Sequence, residues 1–150
     1  TLSLHDALPI LECEDREIVK DSFMSCEWQA PDHYWPTMET EMLYAATGQD
    51  MSLDEMHEMA VRGRLLFRSI LIRDSGRCRE QEVNAIYPGL TYPDSVGLTA
   101  SWEDWNDVVD LYYEERGWDK ETGWIPREQY EKYGLKDVAD ELERIGKLPK

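Results

Sequence analysis

The stretch MSLDEMHEMAVRGRLLFRSILIR, residues 51–73, has the punctuation of a helix from its first residue. Ser52 can cap the free backbone N–H groups while Glu55, three residues on, reaches back to the cap, and Met51 and Met56 bracket that turn as a hydrophobic staple. Met56, Met59, Ala60, Gly63, Phe67 and Ile70 then recur at helical spacing, which predicts one long helix with one buried stripe. Gly63 lies on that stripe, where the missing side chain lets another element approach closely, at a cost of about 1 kcal/mol in helix propensity against alanine.

The same reading extends in both directions. SWEDWNDVVDLYYEERG, residues 101–117, places Ser101 as cap, acidic residues in the first turn, Arg116 near the negative end and Gly117 as the stop, with Trp105, Val108, Val109 and Tyr112 on the inner face. IPREQYEKYGLKDVADELERIGKLPK, residues 125–150, gives two short helices. Pro126 opens the first and Gly134 closes it, and Gly146 closes the second, whose buried side is marked by Leu135, Val138, Ala139, Leu142 and Ile145. Pro36 to Ala46 forms a helix ended by Gly48, and Arg16 to Ser25 forms another that ends beside Cys26. Residues 84–100, NAIYPGLTYPDSVGLTA, read as an extended connector whose paired Tyr-Pro turns wrap over the helices. No internal repeat or strand ladder emerges. The expected fold class is all-α, an irregular helical bundle.

At 150 residues the chain suits one ordinary domain, and six tryptophans within a 41% hydrophobic composition supply the burial that a folded core needs. The formal net charge of −16 repels phosphate backbones, which argues against a nucleic-acid partner. No run of about 18 apolar residues exists, so no bilayer span is expected. The opening TLSLHDALPI, residues 1–10, is a poor secretory signal because His5 and Asp6 interrupt the apolar region; it is similar to a translated sequencing-adaptor read-through. It is therefore taken as a non-native leader, with residues 11–150 as the folded region. Cys13, Cys26 and Cys78 are too few and too widely spaced for a disulfide framework or a zinc ribbon, which fits a reducing, cytoplasmic setting.

Three common catalytic layouts lack their key residues: there is no G-x-G-x-x-G, no P-loop and no G-x-S-x-G. His5, His33 and His57 stand at unrelated spacings, and the abundant carboxylates read first as solvation and helix-dipole compensation. Cys26 differs in context: Asp21 lies five residues before it, at the end of a helix. Two readings stand beside one another, a small buried hydrophobe or a thiolate ligand of an iron–sulfur cluster with a hydrogen-bonding carboxylate nearby.

LYYEERGWDKETGWIPREQYEKYGLKDVADELE, residues 111–143, resembles the closing segment of the tungsten- and molybdenum-dependent aldehyde ferredoxin oxidoreductase family, with its Tyr-Tyr, Arg-Gly-Trp-Asp, Ile-Pro and Gly-Leu landmarks in order. YAATGQDMSLDEMHEMAVRGRLLF, residues 44–67, is similar to that family's Ala-Thr-Gly-x-Asp helix. With both registers set, DSFMSC, residues 21–26, falls on the family's Asp-x-x-Gly-Leu-Cys motif. The resemblance then implies that Asp21 contacts a pterin of a bis-pterin tungsten or molybdenum cofactor, that Ser25 lies in the same cofactor pocket, and that Cys26 is the last of four ligands to a [4Fe–4S] cluster. It implies the C-terminal helical domains of a larger oxidoreductase, which oxidises small aldehydes to carboxylic acids and passes electrons to ferredoxin or another electron-transfer protein. The remaining cysteines would lie in upstream sequence, and subunit association is left open.

Two departures qualify the match. Met24 and Ser25 stand where the motif has Gly-Leu, and IRDSGRCREQEVN, residues 72–84, departs from the family's Asn-x-Arg-Glu-Gly region. A branch such as the benzoyl-coenzyme A reductase catalytic subunits would account for the change. The rival from a different class is a self-contained acidic helical interaction module, its core filled by Trp28, Trp35, Trp102, Trp105, Trp118 and Trp124.

Overall fold

The computed structural model describes residues 4–24, 37–93, 97 and 99–149. Among them there is no strand, and seven helices follow in order: α1 (Leu4–Phe23), α2 (Met38–Thr47), α3 (Leu53–Ser75), α4 (Arg79–Leu90), α5 (Trp102–Arg116), α6 (Arg127–Lys132) and α7 (Lys136–Arg144). The all-α expectation holds. The chain divides into two compact units, Ile10–Leu66 and Phe67–Lys150 with Thr1–Pro9, and the divisions fall inside α1 and α3.

The caps form as the sequence dictates. The Ser52 N–H donates to Glu55 Oε2 at 2.9 Å and the Glu55 N–H to Ser52 Oγ at 3.3 Å, while Met51 packs near Met56 as the staple requires. Ser101 and Asp104 make the same reciprocal box at the start of α5, and Gly48 and Gly117 end α2 and α5 in the left-handed conformation. Hydrogen bonds from Lys147 Nζ to the carbonyls of Ile72 (2.8 Å) and Arg73 (3.2 Å) satisfy the last turn of α3, where a cation also meets the negative helix end.

In the Ile10–Leu66 unit, Val19, Met56 and Ala60 form the core, flanked by Ile18, Phe23, Leu43 and Met51. Gly63 behaves as its position requires: a Cβ there would stand 2.7 Å from Ile18 Cγ2, so α1 approaches α3 across the missing side chain. Arg64 donates to the Glu14 carbonyl and lies 3.9 Å from Asp15, and Arg16 pairs with the buried Glu39 at 3.5 Å, so the three helices are joined by charge as much as by apolar packing.

In the Phe67–Lys150 unit the largest buried side chains are Tyr113, Tyr130, Ile72, Ile125 and Leu142. Its centre is polar. Arg68, on α3, makes a two-pronged ion pair with Glu82 of α4 and donates to the Gly123 carbonyl at 2.8 Å. The Tyr113 hydroxyl donates to Glu82 Oε2, the oxygen that Arg68 Nη2 also meets, Arg77 Nε adds a further cationic contact to Oε1 at 3.1 Å, and the Arg68 guanidinium lies 4.9 Å from the Trp118 ring. Tyr130 and Ser69 share a buried hydrogen bond of 2.8 Å, and burial pushes the Tyr130 phenol up to about 12.

Four expectations are corrected. The stripe on α3 is not single: Met59, Phe67 and Ile70 are exposed, because the first part of α3 buries Met56 and Ala60 within the Ile10–Leu66 unit while its last part buries Arg68, Ser69 and Ile72 within the other. A periodicity read along the whole helix averages two different faces. Residues 84–90 are helical, the end of α4, rather than extended. The Arg79 ion pair with Asp110 (2.5 Å), its bond to Asn106 (2.9 Å) and the edge contact between Tyr87 and Trp102 (4.8 Å) dock this helix strongly enough to outweigh Pro88 inside it. The first helix begins at Leu4 instead of Arg16 and ends at Phe23, so part of the stretch set aside as leader is helical. On α5 the fully buried tyrosine is Tyr113 rather than Tyr112, which is half-buried.

Candidate functional site

Of the three residues singled out as cofactor contacts, Asp21 is described, whereas Ser25 and Cys26 lie outside the described residues. Asp21 sits in the last turn of α1, exposed, and its carboxylate makes no hydrogen bond or ion pair among the described residues. A carboxylate there faces the negative end of the helix dipole, an arrangement disfavoured by about 0.3–1 kcal/mol. No described residue uses this charge, so among the described residues both carboxylate oxygens remain able to accept hydrogen bonds. The neighbouring Lys20 is buried and bonded to Glu17 Oε1 at 3.2 Å.

Met24 follows directly. It is the one non-glycine residue with positive φ among the described residues, at 54°, and its N–H donates to the Asp21 carbonyl at 3.1 Å while its side chain is 93% exposed. An L-residue pays about 1–2 kcal/mol to adopt this conformation, and glycine does not. The turn after α1 therefore keeps the backbone that glycine favours, and carries a methionine there.

A carboxylate held against the helix dipole with no partner among the described residues gives a direct expectation. Asp21→Asn should raise the stability of the isolated chain by about 0.3–1 kcal/mol, read from its urea midpoint. A loss of stability would mean that the charge serves the fold.

A cavity of about 220 Å³ opens in the Ile10–Leu66 unit, lined by Asp15, Arg16, Glu39, Leu53, Met56 and His57 among others. Asp21 does not line it. His57, read from sequence as surface or boundary packing, stands at its rim as an exposed residue. The described residues contain no cluster of three or more histidine, cysteine, aspartate and glutamate side chains arranged to hold a metal. None of their helices is long and apolar enough to cross a membrane.

The Arg68–Glu82–Tyr113 network was not foreseen. The signal available was a concentration of arginines at 62, 64, 68, 73 and 77 beside acidic neighbours, and nothing in that run says that Arg68 alone turns fully inward.

The sequence matches the family model described as aldehyde ferredoxin oxidoreductase, domains 2 and 3, over residues 5–135, and the chain belongs to this family. The fold is similar to a solved chain of the active-site complex BamBC of benzoyl coenzyme A reductase in complex with 1,5-dienoyl-CoA, with a TM-score of 0.67 and 23% sequence identity over 89% of the present chain. The match spans 19% of that solved chain. No curated protein matches the sequence.

Proposed function

We propose that this chain is the C-terminal helical portion of a tungsten- or molybdenum-pterin oxidoreductase, and that the end of α1 carries its contribution to the redox site. The observation that carries the reading is the Asp21 carboxylate, without a partner among the described residues, held against the helix dipole one turn before a left-handed turn and five residues before Cys26. Asp21 fits an acceptor for pterin amine and amide donors; Cys26 would supply the last thiolate of a [4Fe–4S] cluster, and Ser25 a hydroxyl beside it. The bound metal–pterin supplies the two-electron chemistry and the cluster relays single electrons. The task of these residues is to bind, orient and keep the two centres within a few residues of each other.

The substrate assigned is a small aldehyde, oxidised to the carboxylic acid, with electrons leaving to ferredoxin or a similar carrier. The family membership supports the oxidoreductase class, and the fold likeness to a benzoyl-coenzyme A reductase chain favours a second reading, in which the substrate is a coenzyme A thioester. Met24 and Ser25 in place of Gly-Leu are consistent with either branch.

The test is Cys26→Ser in the full-length enzyme. Iron per chain should fall measurably below the wild-type content, with weakened visible absorbance of the cluster, since a serine hydroxyl is a poorer ligand for iron than a cysteine thiolate. Wild-type iron content and turnover in that variant would refute the assignment. Turnover of wild-type enzyme on aldehydes against aromatic coenzyme A thioesters then separates the two substrate readings.

A further inference from the structure

The Phe67–Lys150 unit carries an open cleft of about 540 Å³ between the turn after α5, the start of α6 and Pro149. Its floor is Trp118, Pro126 and Pro149, and its rim is acidic, with Asp119, Glu128 and Glu131. The arginine that lines it is already engaged: Arg127 Nη1 meets Glu131 at 3.3 Å and Asp140 at 2.8 Å, and Nη2 meets Glu143 at 2.9 Å. Glu128 is exposed and makes no hydrogen bond or ion pair among the described residues. Asp119 receives both of its bonds from Thr122 on one oxygen, Oδ1. The rim therefore keeps a surplus of negative charge. On the floor, Trp118 is only 5% exposed, yet its indole N–H has no acceptor among the described residues. A buried donor without an acceptor costs about 1–3 kcal/mol.

We propose that this cleft binds an arginine-bearing segment of a partner polypeptide. Each of its features has a counterpart in that occupant. The aliphatic stem of an arginine lies along Pro126 and Pro149, and its guanidinium, a planar fork of five donors, reaches the carboxylates of Glu128 and Glu131. A main-chain carbonyl beside it supplies the acceptor that the Trp118 indole N–H lacks. Charge selects the class of partner. A chain of net charge −16 with an acidic rim at the cleft attracts a basic protein surface, and repels an anionic lipid, a phosphate or a second copy of itself. The cleft belongs to the Phe67–Lys150 unit and Asp21 to the other, so the proposal stands apart from the cofactor assignment.

The experiment titrates the 150-residue chain with a short blocked glycine peptide carrying one arginine, and follows the Trp118 indole N–H resonance. The resonance should shift saturably, and added salt should weaken the binding. The same peptide with citrulline, which keeps the shape without the charge, should bind about tenfold more weakly or worse. The arginine peptide should lose a similar factor on Glu128→Lys, a surface change that should leave folding intact. The full-length enzyme should bind the arginine peptide as tightly as the 150-residue chain does, measured by calorimetry. An unmoved indole resonance, equal binding of the citrulline peptide, or undiminished affinity of Glu128→Lys overturns the proposal. Methylguanidine binding as tightly as the peptide would make the occupant a free organic cation, and wild-type self-association abolished by Glu128→Lys would make it a second copy; either result overturns it too. So does a full-length enzyme that ignores the peptide, because its own chain then fills the cleft.

Discussion

Arg68→Met is expected to destabilise the Phe67–Lys150 unit by about 3–5 kcal/mol, the range for removing one partner of a buried ion pair. Total stabilities run about 5–15 kcal/mol, so this is a large share of what is available. The lost attraction is the smaller part of the cost. What remains is the Glu82 carboxylate, with Tyr113 and Arg77 as its remaining donors, and the Gly123 carbonyl without the Arg68 N–H. Arg68→Met combined with Glu82→Leu should be less harmful than Arg68→Met alone, because replacing the buried pair together leaves no buried charge unpaired, and Arg77 is exposed enough to be met by water. Urea unfolding followed by circular dichroism measures both, and a double variant worse than the single would show that the network's value is attractive and not compensatory.

The same carboxylate sets an acid limit. Burial pushes the Glu82 carboxyl up, but the Arg68 hydrogen bonds and charge, the Tyr113 hydroxyl and Arg77 together hold it below its ordinary value of 4.5. A carboxylate with a lowered folded-state value contributes its full stability above about pH 4.5 and loses it as pH falls through that lower value. Acid unfolding of wild type should therefore steepen below pH 4.5, and the double variant should lose that part of the slope.

How far the fold was legible follows from where its information sits. The capping box at Ser52, the cap at Ser101 and the stops at Gly48 and Gly117 are local chemistry, with partners within four residues, so they could be read directly. The α3 stripe could not. Phe67 fits the spacing as well as Met56 does, and its exposure depends on the core residues changing between the two units that the helix serves. Helix α4 failed for the same reason in reverse: Pro88 and Gly89 are local signals against a helix, and the contacts that override them, Arg79 to Asp110 and Glu82 to Arg68, span 31 and 14 residues. Of the candidate site, Asp21 was found through its distance from Cys26 and a family resemblance. Its position against the helix dipole, with no partner among the described residues, becomes visible with the helix direction known.

Gly123→Ala should cost about 2–5 kcal/mol, measured by the same urea unfolding, and two independent terms add to give it. The first is conformational. Gly123 has φ 71°, and an alanine there carries the left-handed penalty of about 1–2 kcal/mol. The second is steric, because the new Cβ would stand 2.6 Å from the Tyr113 hydroxyl oxygen and 2.8 Å from both Tyr113 Cζ and Arg68 Nη2. None of these atoms is the free end of a mobile chain: Tyr113 is fully buried and bonded to Glu82, and Arg68 is fixed by Glu82 and by the Gly123 carbonyl itself. Overpacking against such partners costs about 1–3 kcal/mol. Gly134→Ala is the control, with φ 68° and nothing within 4 Å of its Cβ, so it should show the conformational term alone, about 1–2 kcal/mol. The difference between the two variants then isolates the overlap with the network. Equal losses at the two positions would mean that Tyr113 and Arg68 yield without cost, and that the polar centre of this unit is softer than its burial implies.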